Sequence, residues 1–389
     1  MIETEIPVQT LNSASVIDSL VQYCKERQYG LAIWSLPESN IRNFLISHCP
    51  QILQTHTIES LENGFVIASF EGGSKGEKLY LKADVHFKTD NETELTKELL
   101  YFLPDLKIEK TQQNHIITLK PASLERINFY KNAVNLAIES INRNEHKKLV
   151  LARKRTATIS GIFSAGKVFE NINKVFKTTF NSIIYTPDYG LWIGASPETL
   201  VSRNSKNIFK TVALAGTQAA NGKSEKEAVW SQKEIEEQAY VSRFIVERLK
   251  KIRLREFEDI GPKTVRVGHL FHLKTEYLVD LNEVDFPDLL SDMLEMLHPT
   301  SAVCGMPKEA AMEFVLANEN FSRELYSGYL GPVNIGEETH LFVNLRCVKI
   351  ENKEITFFAG AGITEDSDPE KEFLETETKM DSLLNCFKH

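Results

Sequence analysis

The chain has little sulfur and no pattern in what it has. Its five cysteines, Cys24, Cys49, Cys304, Cys347 and Cys386, are scattered, odd in number and free of Cys-x-x-Cys spacing. That use of cysteine fits a reducing, cytoplasmic compartment best. No apolar run is long enough to span a bilayer, so no membrane partner is expected. Positive charge is also in short supply. The net charge of −9 argues against a general nucleic-acid binder. The run Arg153-Lys154-Arg155 is too short to reverse that and reads as a solvated strand end. The opening residues, Met1 to Pro7, lack a basic stretch followed by an apolar core, so no signal peptide is expected. Heptads, solenoid periods and low-complexity tracts are missing as well.

What is present is the composition of a globular protein. Of 389 residues, 42% are hydrophobic and 25% charged, enough for one large domain or two ordinary ones. Residues 1–121 form a lead-in region without evident chemistry. The pattern predicts a helix over 13–27 and strands over 30–36, 64–70 and 79–87, the last two joined by a Gly-Gly-Ser-Lys-Gly-Glu turn. A short helix over 94–102 and a strand over 115–119 follow. His48, His56, His86 and His115 show no metal-ligand spacing.

Pro121 marks a boundary to a second region, 122–389. A helix is expected over 123–142, its apolar positions including Ile127, Ala133, Leu136, Ala137, Ile138 and Ile141. A strand over 148–153, a helix over 163–176, a hairpin of 182–186 with 190–195 and a strand over 208–215 ending at Gly216-Thr217 come next. A long helix is expected over 223–252, with Trp230, Val241, Ile245, Leu249 and Ile252 on its apolar stripe. Extended upstream, that stripe meets Glu234 and Glu237. An unpaired buried carboxylate is expensive, so such acids are paired, metal-bound, or on a helix that rotates outward there. Helices over 287–297 and 308–316, then strands over 340–350 and 354–361, lead to the tail. There Gly360 and Gly362 precede a helix opened by Asp368 and Pro369, a good cap and a good first residue. Glu372, Glu375 and Lys379 share one face of it. Strands that come in adjacent pairs among helices favour an α+β fold with antiparallel sheets.

Several stretches are best read together: Lys148-Leu-Val-Leu-Ala-Arg153, Gly194-Ala-Ser-Pro-Glu198, Leu214-Ala-Gly-Thr217, the Glu234/Glu237 helix and the tail. With His298-Pro-Thr, Arg323-Glu-Leu-Tyr326-Ser-Gly and Asn344-Leu-Arg-Cys347, in this order, residues 122–389 resemble the chorismate-utilising enzymes. These are the isochorismate, salicylate, anthranilate and aminodeoxychorismate synthases. The resemblance implies a large α+β fold like that of aminodeoxychorismate synthase, with two curved antiparallel sheets flanked by helices. Residues 1–121 would be part of the same fold. It implies chorismate as substrate, Mg²⁺ as cofactor and a monomer.

The family pattern assigns roles residue by residue. Glu237 and Glu375 correspond to direct Mg²⁺ ligands, and Glu234 and Glu372, one turn earlier, to ligands through water. Such a set suits Mg²⁺, which prefers few carboxylates and several waters. Gln238 stands where the family usually has His. Arg346 resembles a fork for one substrate carboxylate, with Tyr326 hydrogen-bonding near the same group. Backbone at Gly360 and Gly362 and the ammonium of Lys379 match positions that hold carboxylate oxygens. Ala215, Gly216, Thr217, Ala302 and His272 fit the substrate pocket. Lys148 stands at a general base and Glu198 at a general acid. Taken singly, Lys148 reads as a strand-edge charge, Glu198 as a turn residue and Arg346 as a surface or salt-bridged residue.

Within the family, ammonia-using anthranilate synthases generally lack a lysine at the position of Lys148. Aminodeoxychorismate synthases use a nucleophilic lysine where this chain has Ala215. Both features point to water as nucleophile. Isochorismate synthase and salicylate synthase remain, the second eliminating pyruvate in addition, with Ala302 favouring the first. A non-catalytic relative that binds chorismate-like ligands is a third reading. The product would feed menaquinone or catechol siderophore synthesis.

Overall fold

The computed structural model describes residues 12–54, 57–109 and 115–388; Met1 to Pro7 and His56 lie outside them. Two antiparallel sheets form the centre. The first runs in the order Gly305–Met306, Lys148–Ser160, Glu354–Ile363, Cys347–Glu351, Gly190–Ser196, Phe180–Thr186, Gly30–Ser35, Arg42–Ser47, Val85–Thr89. Ile116–Leu119 also pairs with Lys148–Ser160. The second runs Glu258–Val267, Leu270–Asp280, Ile208–Ala219, Thr199–Arg203, Thr339–Val343, Tyr329–Val333, Gly64–Ala68, Lys78–Lys82, Gln51–Leu53. Strands of residues 30–89 enter both sheets, Gly30–Ser35 against Phe180–Thr186 and Gly64–Ala68 against Tyr329–Val333.

The sheets face each other across an aromatic layer. Trp34 packs on Phe65 at 5.3 Å between ring centres and Phe180 on Phe342 at 4.3 Å, each pair joining one sheet to the other. Helices cover the outer faces. Ser13–Arg27, Ala165–Val175 and Pro369–Leu384 contribute to a core on the first sheet. Gln232–Lys251 and Leu289–Leu297 close the second. The α+β fold with two antiparallel sheets is therefore as expected. Side chains cap the helices where the sequence offered them. Ser123 accepts from Arg126 N ahead of Leu124–Asn142, and Asp368 from Lys371 N ahead of Pro369–Leu384.

Arg153 and Arg155, expected at a solvated strand end, are buried within Lys148–Ser160, where Arg155 pairs with Glu377 and Asp381 of the last helix. Five other local expectations change. The stretch expected as one strand over 79–87 is two strands in different sheets, Lys78–Lys82 and Val85–Thr89. The stretch 340–350 likewise divides into Thr339–Val343 and Cys347–Glu351, and Arg346 turns the corner with φ 46°. Apolar alternation continues through both crossings, so period alone does not reveal them. The long helix begins only at Gln232, because Ser231 and Glu234 form a capping box; Trp230 lies outside it. Ile208–Ala219 does not end at Gly216 but bulges there, with φ 70° and a register shift between Ala215 and Gln218. The strand from Gly64 stops at Ala68, and Phe70–Ser74, capped by Ser69, is a short helix rather than a turn. One stripe residue also departs from expectation. Leu136 is 47% exposed, while Tyr130 and Val134 are buried in its place.

Candidate active site

The two corrections nearest the chemistry, the bulge at Gly216 and the crossing at Arg346, open onto one cavity of about 90 Å³. Its wall includes Glu198, Ala215, Gly216, Thr217, Glu237, His272, Ala302, Tyr326, Arg346, Gly360, Gly362 and Lys379. Lys148 lies just behind that wall, fully buried, its ammonium 2.9 Å from Glu237 Oε1. A larger cavity, about 190 Å³, along the outer edge of Lys148–Ser160 contains none of these groups.

Glu198 leaves the strand Gly190–Ser196 through Pro197 and is 2% exposed. Burial pushes its carboxyl up to about 8, against the pull of the Thr300 hydroxyl and the Lys148 charge. Thr300 Oγ1 donates to Glu198 Oε1 at 3.3 Å. Near neutral pH this group holds a proton inside the cavity.

Across the sheet crossing, Arg346 is buried, and burial lowers its guanidinium to about 10. Nη1 donates to Val267 O at 3.0 Å and Nη2 to His272 Nε2 at 2.6 Å. His272 Nδ1 lies 2.8 Å from Gly216 O. A guanidinium only donates and a carbonyl only accepts, so these contacts require a neutral imidazole with its proton on Nδ1. Burial, then Arg346, then Lys379 hold His272 well below the usual histidine range. Tyr326 is buried beside Phe358, its ring stacked at 5.4 Å and its phenol raised by burial.

The glycines matter for approach. A Cβ at Gly362 would run into the Glu237 carboxylate and lie 3.1 Å from Lys148 Cε. One at Gly360 would lie 3.2 Å from the Tyr326 hydroxyl. Lys379 Nζ donates to Gly360 O at 2.9 Å and pairs with Glu375 at 2.7 Å.

The four glutamates are held unequally. Glu372, 1% exposed, pairs with Lys233 at 2.5 Å. Burial raises its carboxyl, Lys233 lowers it and Glu375 raises it further. Burial opposes the charge on Glu237, but Lys148, then Lys379 and Lys233, bring it below the usual range. Glu234 instead turns back to the Ser231 backbone N–H and hydroxyl and caps its own helix. Among the described residues no three His, Cys, Asp or Glu side chains converge as a metal-holding group. The donor set nevertheless suits a hard divalent cation. Glu372, Glu375 and Glu237 all act on one ammonium, that of Lys233, and raise it despite burial. Sequence reasoning missed Lys233, and it gave Thr300, within His298-Pro-Thr, no role. The sequence signal for Lys233 is its place four residues before Glu237 on one helix.

A family profile described as chorismate binding enzyme matches residues 46–388. The chain belongs to that family. Among curated relatives, the Escherichia coli isochorismate synthase MenF is 30% identical over 257 residues, 64% of this chain and 58% of MenF. The Escherichia coli isochorismate synthase EntC is 28% identical, over 62% of each chain. The match thus spans less than two thirds of the length of these relatives. Anthranilate synthase component 1 of Thermococcus kodakarensis is 33% identical over 50% of this chain and 46% of its own. In fold, the chorismate-binding chain is similar to the solved Escherichia coli MenF, with TM-score 0.73 at 21% identity, covering 95% of this chain and 91% of that one. It is also similar to anthranilate synthase component I of Streptococcus pneumoniae, with TM-score 0.65 at 19% identity over 85% and 82%. Among the described residues no helix is long and apolar enough to cross a membrane.

Proposed function

We propose that this chorismate-binding enzyme is an isochorismate synthase. Water enters at ring C2 of chorismate, the double bonds shift, and the C4 hydroxyl leaves as water. The observation that carries the reading is the buried, proton-holding Glu198 in the same site as the buried amine of Lys148. An exchange of one water for another needs a base for the incoming oxygen and an acid for the outgoing one. In its neutral amine form Lys148 takes the proton from water, and Glu198 gives one to the departing hydroxyl. The names of two similar relatives, MenF and EntC, support the same activity.

Arg346, whose guanidinium has no carboxylate partner among the described residues, binds one substrate carboxylate, with Tyr326 beside it. Ala215, Gly216, Thr217 and Ala302 shape the wall over the ring. Gly360, Gly362 and Lys379 receive the other carboxylate. Glu237 and Glu375 would hold Mg²⁺ directly, and Glu234, after leaving its cap, and Glu372 through water. Bound there, the ion supplies a clamp and a charge sink for that carboxylate. A cytoplasmic monomer acting ahead of menaquinone or catechol siderophore synthesis fits this activity, with residues 1–121 as a lead-in to the catalytic part.

Purified protein incubated with chorismate and Mg²⁺ should yield isochorismate alone on chromatographic separation. Salicylate with pyruvate, or unchanged chorismate beside an active control, would overturn the proposal.

A further inference from the structure

Three carboxylates at one end of the site each face a lysine. Glu237 meets Lys148 at 2.9 Å, Glu372 meets Lys233 at 2.5 Å and Glu375 meets Lys379 at 2.7 Å. Lys148 and Lys379 have further work in the proposed reaction. Lys233 does not line the cavity, and its side chain is 25% exposed while that of its partner Glu372 is 2% exposed. It stands at the rim with a path to solvent.

We infer that Lys233 is a resident counter-ion, whose ammonium holds Glu372, Glu375 and Glu237 together in the metal-free protein and withdraws when a divalent cation takes its place. The inference rests on the metal reading above. Enclosed carboxylates without a cation repel one another and lose solvation, so the empty site needs positive charge to keep its shape. Lysine supplies it as a point charge on a flexible stem, with no coordination geometry to undo. The charges that act on Lys233 are those of Glu372, Glu375 and Glu237, which is the set a divalent ion would claim. Ammonium and ion repel each other and compete for the same oxygens, so both do not stay. Replacing Lys233 should therefore have two effects of opposite sign. The metal-free protein loses stability, and metal binding tightens.

The test uses the full chain without substrate. Mn²⁺ binding is read from the electron paramagnetic resonance of the free ion, and melting temperatures are taken in EDTA and in saturating Mg²⁺. Lys233→Met should bind Mn²⁺ about ten-fold more tightly, because one like charge is gone from the ion's surroundings. It should melt below the wild type in EDTA and level with it or above in Mg²⁺. Lys233→Arg keeps the charge and should follow the wild type in EDTA. Lys233→Gln carries the same test if the methionine variant does not fold. If the wild type binds Mn²⁺ and Lys233→Met binds it with unchanged or weaker affinity, the counter-ion role is overturned and the metal reading stands. A deficit in melting temperature that persists undiminished in Mg²⁺ also overturns it, since it marks a purely structural pair. Wild-type protein that binds no Mn²⁺ overturns both readings.

Discussion

The two ends of the cavity handle charge in opposite ways. At one end Glu237, Glu372 and Glu375 each have a lysine within 2.9 Å. At the other, Glu198 and Arg346, 2% and 8% exposed, have no ion-pair partner among the described residues. Glu198 leans on a threonine hydroxyl, and Arg346 on a carbonyl and a neutral imidazole. The paired end is close to neutral and holds its shape by attraction, so an added cation must displace something. The unpaired end is held by the strands that carry it. Burial there leaves Glu198 its carboxylic proton and leaves the Arg346 charge without a counter-charge from the described residues. Desolvation without pairing thus leaves groups ready for an anion or a proton transfer, while pairing leaves a site ready for exchange.

The largest expected effect breaks the paired end at its base. Lys148→Ala should lower turnover of chorismate by about 10²–10⁴-fold, the usual range for losing a general base, with KM little changed. Steady-state kinetics decide it, and normal turnover would remove Lys148 from the reaction. At the unpaired end Arg346→Gln should act mainly on binding. Loss of a charged hydrogen bond worth roughly 1.5–3 kcal/mol raises KM by about ten- to hundred-fold. A fall in kcat with KM unaltered would mean that Arg346 does not hold the substrate in its ground state.

The smallest effect comes from pH. The Glu198 carboxyl is raised from 4.5 to about 8 in the folded protein. A raised carboxyl favours the fold while protonated. That contribution is complete below the unfolded value and drains away as pH rises through about 8. Turnover should fall over the same upper range, as the acid loses its proton. Glu198→Gln, which cannot ionise, should gain melting temperature relative to the wild type as pH rises from 4.5 to about 8. A constant difference across that window would show that Glu198 is ionised throughout, and the contrast between the ends would disappear.

Much of the frame was readable from the chain. Asp368-Pro369 announced the start of the last helix, and the spacing of Glu372, Glu375 and Lys379 put them on one face. The apolar run after Lys148 marked its strand. The crossings at residues 83–84 and 344–346 were hidden, because alternation of period two looks the same whether a strand continues or changes sheet. The hairpin of Glu258–Val267 with Leu270–Asp280 was hidden for another reason. Its charged residues, such as Lys263, Lys274 and Glu276, break the apolar pattern; Glu276 pairs with Lys263 across the strands and with Lys274 along its own strand. Lys233 drew no attention inside the helix expected over 223–252, whose start the structure moves to Gln232.

By itself the sequence determined which elements carry the candidate site residues and which residue types they offer, since caps, periods and motif order are local properties. Tertiary structure alone decided how each charge is held. Lys148 meets Glu237 and Lys233 meets Glu372 across long stretches of chain, while Glu198 and Arg346 form no ion pair among the described residues. Pairing and desolvation depend on distances and burial between elements remote in sequence, and those two quantities separate an ion pair from a proton donor.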